Sequence, residues 1–498
     1  NLTAPGTGPG QTGTGNLIVT NTAEDKGSIE LQNNLFHEGT GVDTSFAGDI
    51  SGLNGAAANT DLVKTGANKL TLSGNVTLAG DIIAEQGTLQ LNGTADVEAL
   101  HLNSADADSP AVIGVGGRAT ARTLAGGDNG GKLDIASSGT LTLTGATDGL
   151  SHTEIAGTGT LAIAEGASLG LAADSTLSGV VLDLDGSLSL EADGSAGGLN
   201  GSGSLELNGQ TLQIQAASGQ THTYEGTLGE GTLDVSGAGT QVLRSSGADT
   251  GLTISGGNLV LQGKADVDGA RLSYGNLVNS GNLTIQASDN SLTAVNTTLS
   301  VENASFSSGS STTFTLNTDA DMTASFIEAS GDVVIEDGAS FHVTSIPDVN
   351  ITWKSGNPME LTLMELTGDG TIDLGENTLT VGGLFLTYYK NAHLVQEGDK
   401  VVLKAEEQTD NVYASVADTA NSMAGANLLW DAARHGSIDQ AVTDFLGALN
   451  NDMLNNPSAA RRSLAAAAGS TVNALGTAQR DALRDQMGWI RNRTTLMG

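Results

Sequence analysis

Apolar and polar residues alternate in short bursts along the first four hundred residues. Leu, Ile or Val takes every second place, with Thr, Ser, Asp, Gln or Glu between, as in Gly87-Thr88-Leu89-Gln90-Leu91, Gly139-Thr140-Leu141-Thr142-Leu143 and Gly159-Thr160-Leu161-Ala162-Ile163. A period of two marks a strand with one buried face. The same Gly-x-Leu-x-aliphatic unit returns from Gly186, Gly203, Gly231, Gly257 and Gly281. From Gly139 onward its steps are 20, 27, 17, 28, 26 and 24 residues, averaging about 24, within the range of solenoid repeats. Gly, Asn, Asp and Ser close each burst, and these residues tolerate the tight corners between short strands. Strands this short bury enough surface only when stacked coil on coil, each giving one or two aliphatic side chains to a shared core. The pattern therefore predicts an all-β protein, a right-handed single-stranded parallel β-helix (β-solenoid).

Composition sharpens that picture. Aromatics make up 3% of 498 residues, too few for a thick globular core and sufficient for a slender one. The formal net charge of -36 excludes broad recognition of a nucleic-acid backbone, which needs clustered Lys and Arg. Absence of Cys removes disulfides and thiolate chemistry. No apolar run of 18 residues occurs, so no transmembrane helix is predicted. No basic and apolar leader opens the chain, which implies an export signal already removed.

Shifts in pattern divide the chain. Residues 1–15 are a flexible Gly/Pro/Thr lead-in and 16–345 the β-helix. Between 346 and 408 the Gly-x-Leu units thin out, Trp353, Phe385, Tyr388 and Tyr389 collect, and a closing strand appears in Gly398-Asp399-Lys400-Val401-Val402-Leu403. This is read as a C-terminal β cap, because an open solenoid end leaves unpaired strand edges. Helical spacing begins near 409, over Ala414–His435 and Ser437–Leu454, and a third helix opens at Pro457-Ser458 and runs toward 498. The acidity belongs to the first 410 residues, which hold 49 acidic and 13 basic side chains, whereas 461–498 hold two and six.

That last segment, with Leu428-Leu429-Trp430-Asp431-Ala432-Ala433-Arg434-His435 before it and Ser463-Leu464-Ala465-Ala466-Ala467-Ala468-Gly469-Ser470 within it, resembles the entry to the translocator of type Va autotransporters. A second stretch, Asp61–Gly93, resembles their passenger-associated repeat, with Lys64-Thr65-Gly66, Leu70-Thr71-Leu72-Ser73-Gly74 and Gly87-Thr88-Leu89-Gln90-Leu91 in order. The resemblance implies a passenger on the bacterial surface. It also implies an α-helical linker (409–456, then a pore-threading helix in 457–498) leading into an outer-membrane β-barrel of the same polypeptide, of which this sequence holds at most the start. It implies a cap that nucleates folding outside the cell. Members that cut their own chain carry two Asn residues a few positions before a Met-Gly of the pore helix. Here Met487-Gly488 follows Asp481 and Ala482, while Asn450-Asn451 and Asn455-Asn456 lie outside that helix, so the resemblance does not extend to self-cleavage.

No catalytic, cofactor-binding or metal site is assigned. Gly166-Ala167-Ser168-Leu169-Gly170 has the spacing of a nucleophile elbow, but an elbow joins a strand to a helix and this context is all strand. The acid pairs Asp106/Asp108, Asp183/Asp185, Asp319/Asp321 and Asp332/Glu336 could serve glycan chemistry if brought to a set separation. Spread this evenly, they read as a solvated acidic surface. Gly126–Gly131 departs from the calcium nonapeptide, and Asp183-Leu184-Asp185-Gly186 lacks the Glu that would complete an EF-hand loop. The seven His (37, 101, 152, 222, 342, 393, 435) show no metal-ligand spacing. The aromatics of 353–389 read as core of the cap in preference to a glycan platform. The expectation is a non-catalytic, elongated adhesin, self-association or stalk module, whose partners are its own β-barrel and host glycan, mucin or further copies of itself. The alternative is a glycan-active β-helix enzyme, a polysaccharide lyase or glycoside hydrolase.

Overall fold

A computed structural model describes residues 12–13, 17–19, 27–32, 43–52, 60–105, 110–263, 270–286, 296–316, 327–345, 359–381 and 389–435. It also describes 445–446, 448–450, 452–453 and 456–466. The chain is nearly all β, a parallel β-solenoid of about ten turns with few helices. It forms two compact units, the first made of Asn1–Gln262, Leu272–Thr284 and Leu299–Ser310, the second of Gly263–Arg271, Ile285–Thr298 and Ser311–Gly498.

In the first unit each turn contributes strands to separate faces. One face stacks Lys69–Leu72, Thr88–Leu91, Val112–Val115, Gly131–Ile135, Thr153–Gly157 and Thr176–Ser178 in parallel. It continues through Gly194–Ala196, Thr211–Ile214, Gly231–Val235 and Thr250–Ile254, the Gly179 N–H donating to Ser195 O (3.1 Å) at the join. A second face runs through Thr94–Leu102, Arg118–Gly126, Thr140–Leu143, Thr160–Ile163, Val181–Leu184 and Gly198–Asn200. A third stacks Ala146–Leu150, Ser168–Leu171, Ser187–Leu190, Ser204–Glu206 and Thr227–Leu228. The alternation read from sequence holds strand by strand: Leu141, Leu143, Leu161, Ile163, Leu182 and Leu184 are all buried and pair in register from turn to turn.

The Gly-x-Leu units sit on different faces, and this revises the repeat length. Gly139 and Gly159 precede successive strands of the second face and Gly186 and Gly203 successive strands of the third, whereas the longer steps of 27 and 28 residues cross from one face to another. On one face, Lys69 to Thr250 covers nine steps in 181 residues, so a turn takes about 20 residues rather than about 24. The glycine of each unit is a corner at which the coils touch. A Cβ on Gly203 would lie 1.9 Å from Gly186 O, and one on Gly226 would lie 2.0 Å from Gly203 O. No side chain fits there.

In the second unit parallel pairing does not stop at 345. Val333–Ile335 pairs with Ile372–Leu374, and Ser340–Ser345 pairs with Thr378–Val381. Met359–Leu366 then pairs antiparallel with Lys400–Glu407, which pairs antiparallel with Tyr389–Glu397. Leu361, Leu363, Val401 and Leu403 are buried there. A 3₁₀ turn over Val412–Val416 and a helix over Ala420–His435 follow. Asn411 caps the turn by accepting from the Tyr413 N–H (3.0 Å). Residues 457–466 are helical. Most of the expected lead-in and the expected pore helix beyond 466 lie outside the described residues.

Candidate functional site

Strand alternation decides which side chains can meet a ligand. On the third face, the outward positions in register are Ser168, Ser187, Ser204 and Thr227, a column of hydroxyls about 4.8 Å apart. On the second they are Asp96, Thr120, Thr142, Ala162, Asp183 and Asn200. Ser168 is thus one rung of a hydroxyl column inside a parallel ladder. It lies on no strand-to-helix turn, and its Gly-x-Ser-x-Gly setting is a coil corner, with Gly166 at φ 80°.

Two of the acid pairs, Asp183/Asp185 and Asp332/Glu336, fall among the described residues. Asp183 is exposed on the second face, its carboxyl held above the usual range by partial burial and then by the Asp185 charge. Asp185 accepts from the Ser202 N–H and Oγ, each 3.3 Å away. Asp332 accepts from the Thr371 N–H (2.8 Å) and Oγ1 (2.9 Å), which hold its carboxyl below the usual range. Both arrangements tie one turn to the next. Asp106/Asp108, Asp319/Asp321, His37, Trp353, Phe385 and Tyr388 lie outside the described residues. Tyr389 is buried, as a core residue of the antiparallel segment would be. Gly126–Gly131 forms a corner, with the Gly130 N–H donating to Gly127 O (2.9 Å).

The described histidines do not converge. His101 Nε2 lies 3.2 Å from Asp81, and His152 Nε2 lies 3.1 Å from Asp174. His393 Nδ1 lies 2.9 Å from Asn391 O. Burial lowers the affinity of His342 for a proton, and that of His222 likewise. Among the described residues no group of three or more His, Asp or Glu is placed to hold a metal, and no helix is long and apolar enough to cross a membrane, which says nothing of a β-barrel.

Two polar features escaped sequence reasoning because they stand at positions where the pattern calls for Leu. Lys64 is fully buried. Its ammonium donates to Thr65 O (2.7 Å), Gly66 O (2.6 Å) and Gln86 O (3.1 Å), so it binds three corner carbonyls of two successive turns. Burial lowers its pKa to about 8 against a raising effect of Asp43. The second feature is an inward pair, His222 and Gln241. In the core column Leu141, Leu161, Leu182 and Leu199, continued by Leu259 beyond them, these two polar residues stand together.

The fold and these sites define the class as a β-solenoid protein with a polar exterior. No protein-family model matches the chain, and no curated protein sequence matches it.

Proposed function

We propose that the chain is the displayed passenger of a type Va autotransporter, an elongated, non-catalytic adhesin, self-association or stalk module. In this reading the solenoid is right-handed, the antiparallel strands of 359–407 cap it and nucleate its folding outside the cell, and the helices beyond 409 lead into a translocator barrel. The observation that carries the reading is the run of in-register outward columns, Ser168-Ser187-Ser204-Thr227 among them. Such a surface repeats one modest polar contact over many turns, and multiple weak contacts held on one scaffold give avidity without a deep pocket. The resemblance of Asp61–Gly93 and of the C-terminal segment to autotransporters supports the delivery route. The test is binding of the purified chain to glycan and mucin arrays, together with clumping of cells that display it, and a parallel screen of polysaccharides for new reducing ends or unsaturated products. Array binding or concentration-dependent clumping with no polysaccharide turnover is expected. Turnover that follows the protein through purification would replace this reading with a glycan-active enzyme.

A further inference from the structure

The second face changes character after Gly198–Asn200. Elsewhere its neighbouring strands share runs of register pairs, four between Thr140–Leu143 and Thr160–Ile163 for example. Between Gly198–Asn200 and Thr221–Tyr224 the pairing narrows to the single bridge Gly201–Tyr224, and side chains replace the ladder. Asn200 Oδ1 accepts from the Thr223 N–H (3.0 Å). Gln241, one turn further on, reaches past His222 to Leu199, accepting from its N–H (3.0 Å) and donating to its C=O (2.8 Å). The same amide donates to Val242 O (3.1 Å) and His222 O (3.4 Å). The His222 ring lies flat against Gly198, where a Cβ would be 2.3 Å from Cδ2.

We propose that this joint, residues 198–245, is acid-sensitive: protonation of His222 breaks the side-chain bonds that stand in for the ladder and loosens these turns before their neighbours. The argument is one of donors and acceptors. His222 Nδ1 lies 3.2 Å from Asn200 Nδ2. Asn200 Oδ1 is committed to the Thr223 N–H, so its amino group must face the ring, and Nδ1 is therefore an acceptor on a neutral imidazole. A proton on Nδ1 sets donor against donor. Flipping the Asn200 amide only moves the clash to Thr223.

Among the described residues no Asp or Glu is buried to compensate. The buried residues paired or hydrogen-bonded across this joint are Leu199, Gln241 and Tyr224. The nearby charges lie outside, Asp183 in register with Asn200, and Glu225 paired with Arg244 at 2.9 Å. Burial in turn disfavours the imidazolium. The sign follows: an opened joint takes up the proton below about pH 6.5 and the closed one resists it, so acid favours opening.

Hydrogen exchange by mass spectrometry on the whole chain at pH 7.5 and 5.0, corrected for intrinsic rates, tests this. Peptides from 198–245 should exchange on the order of tenfold faster at pH 5.0, while those from 139–190 change little. His222→Gln, which cannot ionise, should abolish the difference. An equal response in both segments, or an undiminished response in His222→Gln, overturns the proposal. Should that variant lose protection throughout 139–190 at pH 7.5, the ring titration of His222 in the wild-type chain by NMR decides. Titration below the free-imidazole value supports the joint, and titration at or above it overturns it.

Discussion

Replacing Lys64 with Met keeps the apolar stem and removes the ammonium that three carbonyls share. Two opposed quantities set the outcome. A hydrogen bond from a charged donor contributes about 1.5–3 kcal/mol, and Lys64 makes three of them, to Thr65 O, Gly66 O and Gln86 O. Against this, a fall in pKa from 10.5 to about 8 corresponds to a cost of about 3 kcal/mol for holding the charge in a dry corner. The difference predicts that Lys64→Met destabilises the turns around 60–93 by about 1.5–6 kcal/mol. Their cleavage by subtilisin in moderate urea, followed by peptide mapping, reads this locally. The pH dependence is a second signature. Below pH 8 the lysine is protonated both folded and unfolded, and the cost is fully present. Between about 8 and 10.5 the unfolded chain binds the extra proton, so wild-type stability rises with pH across this window. The variant lacks that rise. A variant within about 0.5 kcal/mol of wild type, or identical pH profiles for the two between 8 and 10.5, would refute the carbonyl cage as the reason for a lysine in the core.

Gly203→Ala should cost about 2–4 kcal/mol, because its methyl would meet the Gly186 carbonyl at 1.9 Å and backbone must move; a melt unchanged by the substitution counts against the close-contact corner. Gln241→Leu restores the apolar pattern yet strands the Leu199 N–H and C=O, so a loss of about 2–4 kcal/mol in urea unfolding is expected, and a gain would show that the amide is dispensable. Ser168→Ala should change stability by no more than about 0.5 kcal/mol and leave any array binding intact, since one rung of a column is lost. Deleting 346–405 should leave the remaining solenoid protease-sensitive after refolding, and a deletion variant as resistant as the whole chain contradicts a nucleating cap.

Most of the fold was legible in the alternation itself. Leu161 and Ile163, or Leu188 and Leu190, are buried because a period of two with a corner glycine admits little else. The length of a turn was not legible. Gly159 and Gly186 carry the same sequence unit but precede different faces, and a one-dimensional repeat search measures the distance between units without knowing which corner each marks. Polar residues at core positions were the other blind spot. The Lys-Thr-Gly piece at 64–66 was visible as a motif, yet an ammonium caging three carbonyls is a property of two turns brought together. Thr221-His222-Thr223-Tyr224 departs from the aliphatic pattern at both inward positions and Thr240-Gln241-Val242-Leu243 at one, and only the register that sets His222 opposite Gln241 shows that the polar departures meet. The turn-to-turn bonds of the acids were equally invisible in one dimension: Asp185 and Asp332 each accept through Oδ1 from Ser202 and Thr371 of the next turn.

The central claim, that this solenoid is a surface-displayed passenger, is tested most directly by antibody labelling of intact cells that express the gene from its native locus. With an antibody raised against residues 60–263, the account predicts full labelling before permeabilisation, lost when external protease is added. Labelling that appears only after permeabilisation, with the protein untouched by external protease, would contradict it.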